Sequence, residues 1–235
     1  MEARREFSDD LIEAYEQKQL RPYYQPRISA ETGQVVCVEA LARWHHPKRG
    51  TLPPAEFLPI AEDIGRLVDI DERILELAVQ DLKAWDAAGV SVPRISVNVS
   101  GRRLLQEDLF SRLDEMDLPI GRLSFELLES IFFEDADQST FDRLAAIRAQ
   151  GIKIEIDDFG SGHASINGLL AVRPDTFKID RQLVQRVRKD PRLVALLRSV
   201  VQIGRSLGIS VVAEGEETEQ HAELSLDIQC DQLQG

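Results

Sequence analysis

Acidic and amide side chains recur at the carboxyl ends of predicted strands along nearly the whole chain. They are Glu39, Asn98, Glu126, Asp157, Asp158 and Glu214, and Lys178 occupies the same kind of position. Each follows a short β-rich run that precedes a helical pattern. In a barrel of parallel strands the carboxyl ends meet at one face, so these side chains would converge there. Carboxylate and amide oxygens are ligands of hard divalent cations, and the pattern therefore predicts a metal-assisted hydrolase.

Strands alternate with helices in a way that predicts a closed barrel. The strands are expected at Tyr23–Ile28, Val35–Arg43, Arg94–Val99, Arg122–Leu127, Ile152–Asp157, Thr176–Ile179, Ser210–Glu214 and Ile228–Leu233. The helices are expected from Asp9 or Asp10 to Leu20, Pro53 to Ile64, Asp71 to Ala88, Thr140 to Gln150 and Pro191 to Leu207. Eight strands with helices in most intervals favour an α/β fold of the TIM (β/α)8 type. The short segment Ala30–Gly33 predicts a hairpin, which makes one strand near the N-terminus antiparallel.

Side-chain alternation indicates which residues face the barrel mouth. In Ile152–Asp157 the isoleucines share one face, which should pack on the helices, and Asp157 lies on the other. The same reasoning points Asn98 into the mouth. Asp158 can reach the same site only if the strand bends, and the glycines of Phe159–Gly162 would permit such a bend.

Glu155 has the same parity as Asp157 and is therefore expected to point into the barrel interior. An unpaired carboxylate is costly in such a place. The sequence therefore predicts that Glu155 pairs with a basic residue inside the barrel.

The charge balance narrows the possible ligands. The 41 acidic and 28 basic residues give a net charge of −13, which argues against binding DNA or RNA and against an anionic membrane surface. An anionic substrate remains possible if bound cations invert the local field.

Cys37 and Cys230 lack metal-binding spacing and indicate buried thiols in a reducing compartment. With no predicted leader or membrane span, we expect one domain over residues 1–235, in the cytoplasm or in the cytoplasmic part of a larger protein.

A set of short motifs lies in order along the chain. The motifs are Tyr23-Tyr24-Gln25-Pro26, Val38-Glu39-Ala40-Leu41, Arg43-Trp44, Ser96-Val97-Asn98-Val99-Ser100, Glu126-Leu127-Leu128-Glu129, Asp157-Asp158-Phe159-Gly160, Lys178-Ile179-Asp180, Ala213-Glu214-Gly215 and Gln234-Gly235. Together they resemble the EAL domain family of cyclic di-GMP phosphodiesterases, which takes its name from the tripeptide found here as Glu39-Ala40-Leu41. The resemblance covers nearly the whole chain and implies a modified TIM barrel with one antiparallel strand near the N-terminus.

The resemblance also implies a role for each matching residue. The implied ligands of two Mg²⁺ or Mn²⁺ ions are Glu39, Asn98, Glu126, Asp157, Asp158 and Glu214. The implied catalytic residues are Lys178, which would hold the attacking water, Glu214 and Glu217. The implied substrate contacts are Gln25, Arg43 and Gln234. Glu129 would brace the loop after Asp158, a loop that contributes to dimerisation and control in the family.

The leading interpretation is hydrolysis of cyclic di-GMP to linear pGpG by a water that two metal ions activate, in bacterial second-messenger signalling. Ca²⁺ would inhibit this reaction. The implied partners are a second copy of the chain and fused or associated sensor or diguanylate cyclase domains, but no DNA or RNA. The alternatives are a catalytically weak or inactive receptor for cyclic di-GMP and a structural partner domain. The presence of every implied ligand and of Lys178 favours the enzyme.

The sequence departs from the family pattern at positions that are not implied metal ligands. Leu128 stands where threonine is usual, His163-Ala164 replaces a Tyr-Ser pair, and Glu216 replaces a small apolar residue. The chain also stops at Gly235, before the final helix that the family leads us to expect. The substitutions concern loop coupling and regulation more than chemistry.

Overall fold

The chain folds into a barrel of strands surrounded by helices. The computed structural model describes residues 2–117, 120–129, 138–160, 166–187, 191–215 and 219–235. Within these residues the strands are β1 (Leu20–Ser29), β2 (Val35–His46), β3 (Gly50–Leu52), β4 (Ile95–Asn98), β5 (Leu123–Leu128), β6 (Lys153–Phe159), β7 (Thr176–Ile179), β8 (Ser210–Glu214) and β9 (Gln232–Gln234). The helices are α1 (Glu2–Glu16), α2 (Pro54–Asp63), α3 (Leu67–Ala87), α4 (Gly101–Leu104), α5 (Leu109–Glu115), α6 (Gln138–Ala149), α7 (Ile166–Val172), α8 (Arg181–Val187), α9 (Pro191–Leu207) and α10 (Glu219–Asp227).

Pairing of β1 with both β2 and β9 closes the ring. The strand order is β1-β9-β8-β7-β6-β5-β4-β2, and β3 pairs with β2 outside the ring. Strand β1 is antiparallel to both of its neighbours, whereas the other neighbours in the ring are parallel. The predicted modified TIM barrel, with one antiparallel strand near the N-terminus, is therefore confirmed.

The predicted start of the first helix was wrong and one short strand was not predicted, because tertiary packing decided both. Helix α1 covers residues 2–16, so Asp9 and Asp10 lie inside the helix and do not begin it; buried Phe7, Leu11 and Ala14 form the stripe that extends it. Strand β3 was not predicted, and its three residues are fixed by pairing with β2.

The predicted strand from Ile228 begins only at Gln232. The amide of Ile228 donates to the carbonyl of Leu224, and the amide of Cys230 donates to the carbonyl of Ser225, so this segment completes the end of α10. Ile228 and Cys230 are both buried, which produces the same alternation of apolar residues that a strand has.

Side chains alternate between the helix layer and the barrel interior. Ile154 and Ile156 of β6 are buried in the apolar core, as are Val97 of β4 and Phe177 of β7. The interior below the mouth holds buried polar groups instead. There Arg27 Nη1 donates to Glu155 Oε2 at 2.5 Å, and both side chains are fully buried. The prediction that Glu155 pairs with a basic residue is therefore confirmed.

None of the described helices has the length and apolar character needed to cross a bilayer.

Candidate functional site

Side chains from the strand ends converge on the ammonium group of Lys178, which is buried at the carboxyl end of β7. The Nζ atom lies 2.9 Å from Glu39 Oε2 and 2.8 Å from Glu126 Oε2. It lies 3.3 Å from Asp157 Oδ1 and 2.5 Å from Glu214 Oε1. The four carboxylates come from β2, β5, β6 and β8, so the closure of the barrel brings together residues far apart in sequence.

These contacts change the acidity of every group in the cluster. Burial alone would lower the pKa of Lys178, but Glu126, Glu39, Asp157 and Glu214 raise it well above its usual value. Burial would raise the pKa of Glu39, but Lys178 and hydrogen bonds lower it to about 2. Burial, reinforced by Glu39, raises the pKa of Glu126 well above its usual value. Burial raises the pKa of Glu214 to about 7 although Lys178 opposes this. One ammonium therefore only partly neutralises the carboxylates around it.

Two amides orient the Glu39 carboxylate. Asn98 Nδ2 donates to Glu39 Oε1 at 2.9 Å, and Gln234 Nε2 donates to Glu39 Oε2 at 2.5 Å. Gln234 Nε2 also lies 3.4 Å from Gln25 Oε1. With its nitrogen turned to Glu39, Asn98 would present its amide oxygen as the atom that contacts a cation. The structure thus places Asn98 and Gln234 on a single carboxylate, with Gln25 next to Gln234.

A bend in β6 brings both aspartates of the double-aspartate motif to the site. Asp158 has a left-handed backbone with φ of 55°, and the register between β6 and β7 shifts between Ile156 and Phe159. The bend therefore begins at Asp158 itself, before the glycines to which the sequence assigned it; Gly160 also has a positive φ of 93°, and Gly162 lies outside the described residues. Burial, with Asp157 adding to it, raises the pKa of Asp158 to about 6.

The donor atoms present fit hard divalent cations. Asp157, Asp158 and Glu214 each offer a carboxylate oxygen, and these oxygens lie within 4.8 Å of one another. Glu126 Oε1 is buried and has no hydrogen-bond partner among the described residues. The donors are all oxygens, the ligands that Mg²⁺ and Mn²⁺ prefer. The site therefore has more oxygen donors and more negative charge than its own lysine satisfies.

A cavity of about 310 Å³ opens above this cluster. Its lining residues are Gln25, Glu39, Leu41, Asp157, Lys178, Arg181, Glu214, Gly215, Gln234 and Gly235. Arg181 was not among the residues predicted from the sequence, although a basic residue three positions after Lys178 was the available signal. Arg181 packs against Gly215, where any Cβ would lie 2.4 Å from Arg181 Cγ. Only glycine at this position leaves room for the arginine beside Glu214.

Other predicted site residues lie outside the cavity lining or outside the described residues. Arg43 Nη1 donates to the carbonyl of Ala42, and its guanidinium carbon lies 5.7 Å from the centroid of the Tyr23 ring. Glu129 is buried and its Oε2 accepts a hydrogen bond of 3.3 Å from the amide of Gly160. Leu128 is half-exposed. The positions outside the described residues are Glu217, Glu216, His163 and Ala164.

Comparisons with known proteins give one consistent family. The EAL domain model matches residues 8–235. Over 229 residues the chain is 36% identical to the oxygen sensor protein DosP of Escherichia coli (strain K12), covering 96% of this chain and 28% of that protein. Over 230 residues it is 36% identical to the bifunctional diguanylate cyclase/cyclic di-GMP phosphodiesterase MucR of Pseudomonas aeruginosa, covering 96% of this chain and 33% of that protein.

A solved structure extends the comparison to three dimensions. The PaMucR phosphodiesterase in complex with c-di-GMP has a TM-score of 0.90 and 35% sequence identity, covering 97% of this chain and 93% of that chain. The chain spans about a third or less of the length of the two curated relatives, whose names refer to whole proteins.

Proposed function

The chain belongs to the EAL domain family, and on that premise we propose that it hydrolyses cyclic di-GMP to linear pGpG with the help of two Mg²⁺ or Mn²⁺ ions. EAL domains are generally cyclic di-GMP phosphodiesterases and generally depend on metal ions. The observation that carries the proposal is the convergence of four carboxylates on Lys178 below an open cavity. A purely structural role would not require so much buried charge in one place.

The residues divide into two groups of candidate ligands. Glu39, Asn98, Glu126 and Asp157 would hold one cation. Asp157, Asp158 and Glu214 would hold the other. When bound, such a pair of cations neutralises a phosphodiester, lowers the pKa of a water and stabilises the leaving oxygen.

Lys178 would orient the reacting groups and would not act as a base. The surrounding carboxylates keep its pKa well above the usual value, so its ammonium group stays protonated. Such a group donates hydrogen bonds and cannot accept a proton. Glu217 remains a proposed member of the catalytic group.

The substrate would enter through the cavity and contact its polar walls. Gln25 and Gln234 lie on the side formed by β1 and β9, and Arg181 lies beside Glu214. Arg43 would contact a phosphate from the part of the β1–β2 hairpin that carries Tyr23. A guanidinium is well suited to this contact because its planar fork binds phosphate oxygens in pairs.

The location of the domain in the cell, its oligomeric state and its neighbouring domains are also proposals. The names of the matched relatives include an oxygen sensor and a diguanylate cyclase, and the match covers only 28% and 33% of their lengths. We infer that the domain works in the cytoplasm as a homodimer, next to a sensor or cyclase domain.

Incubation of the purified chain with cyclic di-GMP and Mn²⁺, followed by chromatography, tests the proposal. We expect pGpG with Mn²⁺ or Mg²⁺, little product with Ca²⁺, and none in excess chelator. Glu39→Ala and Lys178→Ala should each abolish or slow turnover by orders of magnitude, whereas Lys153→Ala, at the opposite end of the barrel strands, should not. Binding without product would favour the receptor alternative. Full turnover in chelator would contradict the two-metal mechanism.

A further inference from the structure

A buried guanidinium lies in the barrel interior directly below the candidate metal ligands. Arg27 on β1 is completely buried. Its Nη1 donates to Glu155 Oε2 at 2.5 Å, and its Nη2 donates to Cys37 Sγ at 2.9 Å and to Ser96 Oγ at 3.3 Å. The guanidinium is therefore held by three residues at once, and Glu155 is the carboxylate that binds it.

Glu126, the register partner of Glu155 on the adjacent strand β5, lies close to the same guanidinium but is not hydrogen-bonded to it. Arg27 Nη2 is 3.7 Å from Glu126 Oε1, beyond hydrogen-bond distance, whereas Glu126 Oε2 contacts Lys178 Nζ at 2.8 Å. Glu126 Oε1 is buried and without a hydrogen-bond partner among the described residues. Leaving a buried carboxylate oxygen unpaired is costly, so something must keep this arginine away from it.

We propose that Glu155 is a positioning residue that retains the Arg27 guanidinium and so leaves Glu126 Oε1 available to a divalent cation. The inference rests on the proposed function, in which Glu126 is a cation ligand. Glu155 is itself anchored from the barrel floor, where Arg94 Nη1 lies 3.7 Å from Glu155 Oε1. Without the Glu155 charge, Glu126 becomes the nearest carboxylate to Arg27.

An arginine bound to Glu126 would oppose cation binding in two ways. It would occupy the oxygen that the cation needs, and it would bring a positive charge next to the cation site in a poorly solvated interior. A role for Glu155 in stability alone predicts a different result, since it would lower the free energy of unfolding without changing cation affinity.

The deciding measurement is Mn²⁺ binding in the absence of nucleotide. It is monitored as the decrease in the electron paramagnetic resonance signal of free Mn²⁺. Glu155→Gln keeps the size of the side chain but releases Arg27. We expect it to weaken Mn²⁺ affinity by about tenfold or more, which corresponds to one competing charge-assisted hydrogen bond.

The double variant Arg27→Met/Glu155→Leu removes both charges, and apolar replacement of a buried pair is often tolerated. Its Mn²⁺ affinity should return to within about threefold of the original chain, the spread common for such changes.

Controls separate this inference from the proposed function. Glu72→Gln neutralises another arginine-paired carboxylate, which contacts Arg112 outside the cavity, and should leave Mn²⁺ affinity unchanged. Absence of Mn²⁺ binding by the original chain would overturn both proposals. Binding that Glu39→Ala removes but Glu155→Gln leaves unchanged would overturn only the role of Glu155.

The double variant tests whether the effect passes through Arg27. If it binds Mn²⁺ as weakly as Glu155→Gln does, Arg27 is not the competitor and the inference fails. Should Glu155→Gln not fold, Glu155→Asp keeps the charge but withdraws it from Arg27 by one methylene. We then expect a smaller loss of Mn²⁺ affinity, and an unchanged affinity would overturn the inference.

Discussion

Lys178 is the residue that four carboxylates of the candidate site share. Its ammonium contacts Glu39, Glu126, Asp157 and Glu214, and it is almost completely buried. Removing one partner of a buried ion pair is far more costly than replacing the whole pair, because the remaining charges lose their compensation. In the absence of cations, Lys178 therefore contributes to folding as well as to the proposed chemistry.

We predict that Lys178→Met destabilises the protein strongly in chelator and much less in Mn²⁺. The expected loss in the free energy of unfolding is about 3–5 kcal/mol in chelator, the usual result of breaking a buried pair. Bound cations should restore most of it, because they bind the folded state and replace the missing charge. Denaturant unfolding in both conditions measures this. Lys153→Met is the control, since Lys153 lies 4.0 Å from Asp175 and is partly exposed. Equal losses in both conditions would contradict the prediction.

The alternation of residues along the strands predicted the direction in which several side chains point, but not the groups that they contact. It pointed Asp157 and Glu155 into the barrel, and the structure has Asp157 at Lys178 and Glu155 at Arg27. It could not identify Arg27 as the partner, because that residue is 128 positions away and on an antiparallel strand. Arg181 was missed for a similar reason. Its place in the cavity depends on the room that Gly215 leaves directly after β8.

Among the structural elements, β6 carries strain where it delivers two consecutive aspartates to one site. Successive strand residues normally point to opposite faces, and the left-handed φ of 55° at Asp158 overcomes this. Such a backbone conformation costs a residue with a Cβ about 1–2 kcal/mol. Aspartate tolerates it better than most residues do, which explains how a candidate ligand occupies the bend without a glycine.

We predict that Asp158→Gly is more stable than Asp158→Ala in chelator, by about 1 kcal/mol, because glycine adopts a positive φ without a steric penalty. Both variants lack the carboxylate and should lose Mn²⁺-dependent turnover alike. The matched pair Asp157→Gly and Asp157→Ala should show the opposite order, since Asp157 is not among the residues with positive φ. Denaturant unfolding of the four variants gives the comparison. A more stable Asp158→Ala would mean that the bend is not strained.

Helix α3 supports the turn that follows Asn98. The sequence predicted a helix from Asp71, but α3 begins one turn earlier at Leu67, and Asp71 faces the end of β4. There its Oδ2 accepts a hydrogen bond of 2.9 Å from the amide of Ser100, the residue that caps α4. Burial raises the pKa of Asp71 to about 6 despite this bond.

This pKa predicts a pH dependence of stability that Asp71→Asn should remove. The folded-state pKa of about 6 exceeds the unfolded value of about 3.9, so the folded state binds the proton more tightly. The favourable contribution of this protonation to the free energy of unfolding is thus fully present below pH 4 and is lost as the pH rises to about 6. The stability of Asp71→Asn relative to the original chain should therefore increase by up to about 2–3 kcal/mol between pH 4 and 6 and stay constant above. Urea unfolding at several pH values checks this, and a constant difference across the range would contradict it.

For the whole molecule, the alternation of strands and helices was sufficient to predict the closed barrel and its antiparallel strand. Local pattern predicted Thr176–Ile179 and Ser210–Glu214 with the bounds that the structure has. It failed at α1 and at Ile228, because docking on the barrel decides how far a helix extends there. The convergence of acidic residues followed from the fold, since parallel strands place all their carboxyl ends at one face.

The overall negative charge predicts that binding of an anionic ligand depends on cations. A chain of net charge −13, with carboxylates lining its cavity, repels an anionic cyclic dinucleotide unless cations intervene. We expect calorimetry to show cyclic di-GMP affinity at least about tenfold higher in Ca²⁺, where turnover should be slow, than in chelator. In chelator, raising the salt concentration from about 50 to 500 mM should improve the weak affinity, because salt screens the repulsion. With Ca²⁺ bound, the same change should have little effect or reduce affinity, since the local field is then attractive. Equal affinity with and without Ca²⁺ would mean that Arg181, Arg43 and the amides bind the nucleotide without help from a metal ion.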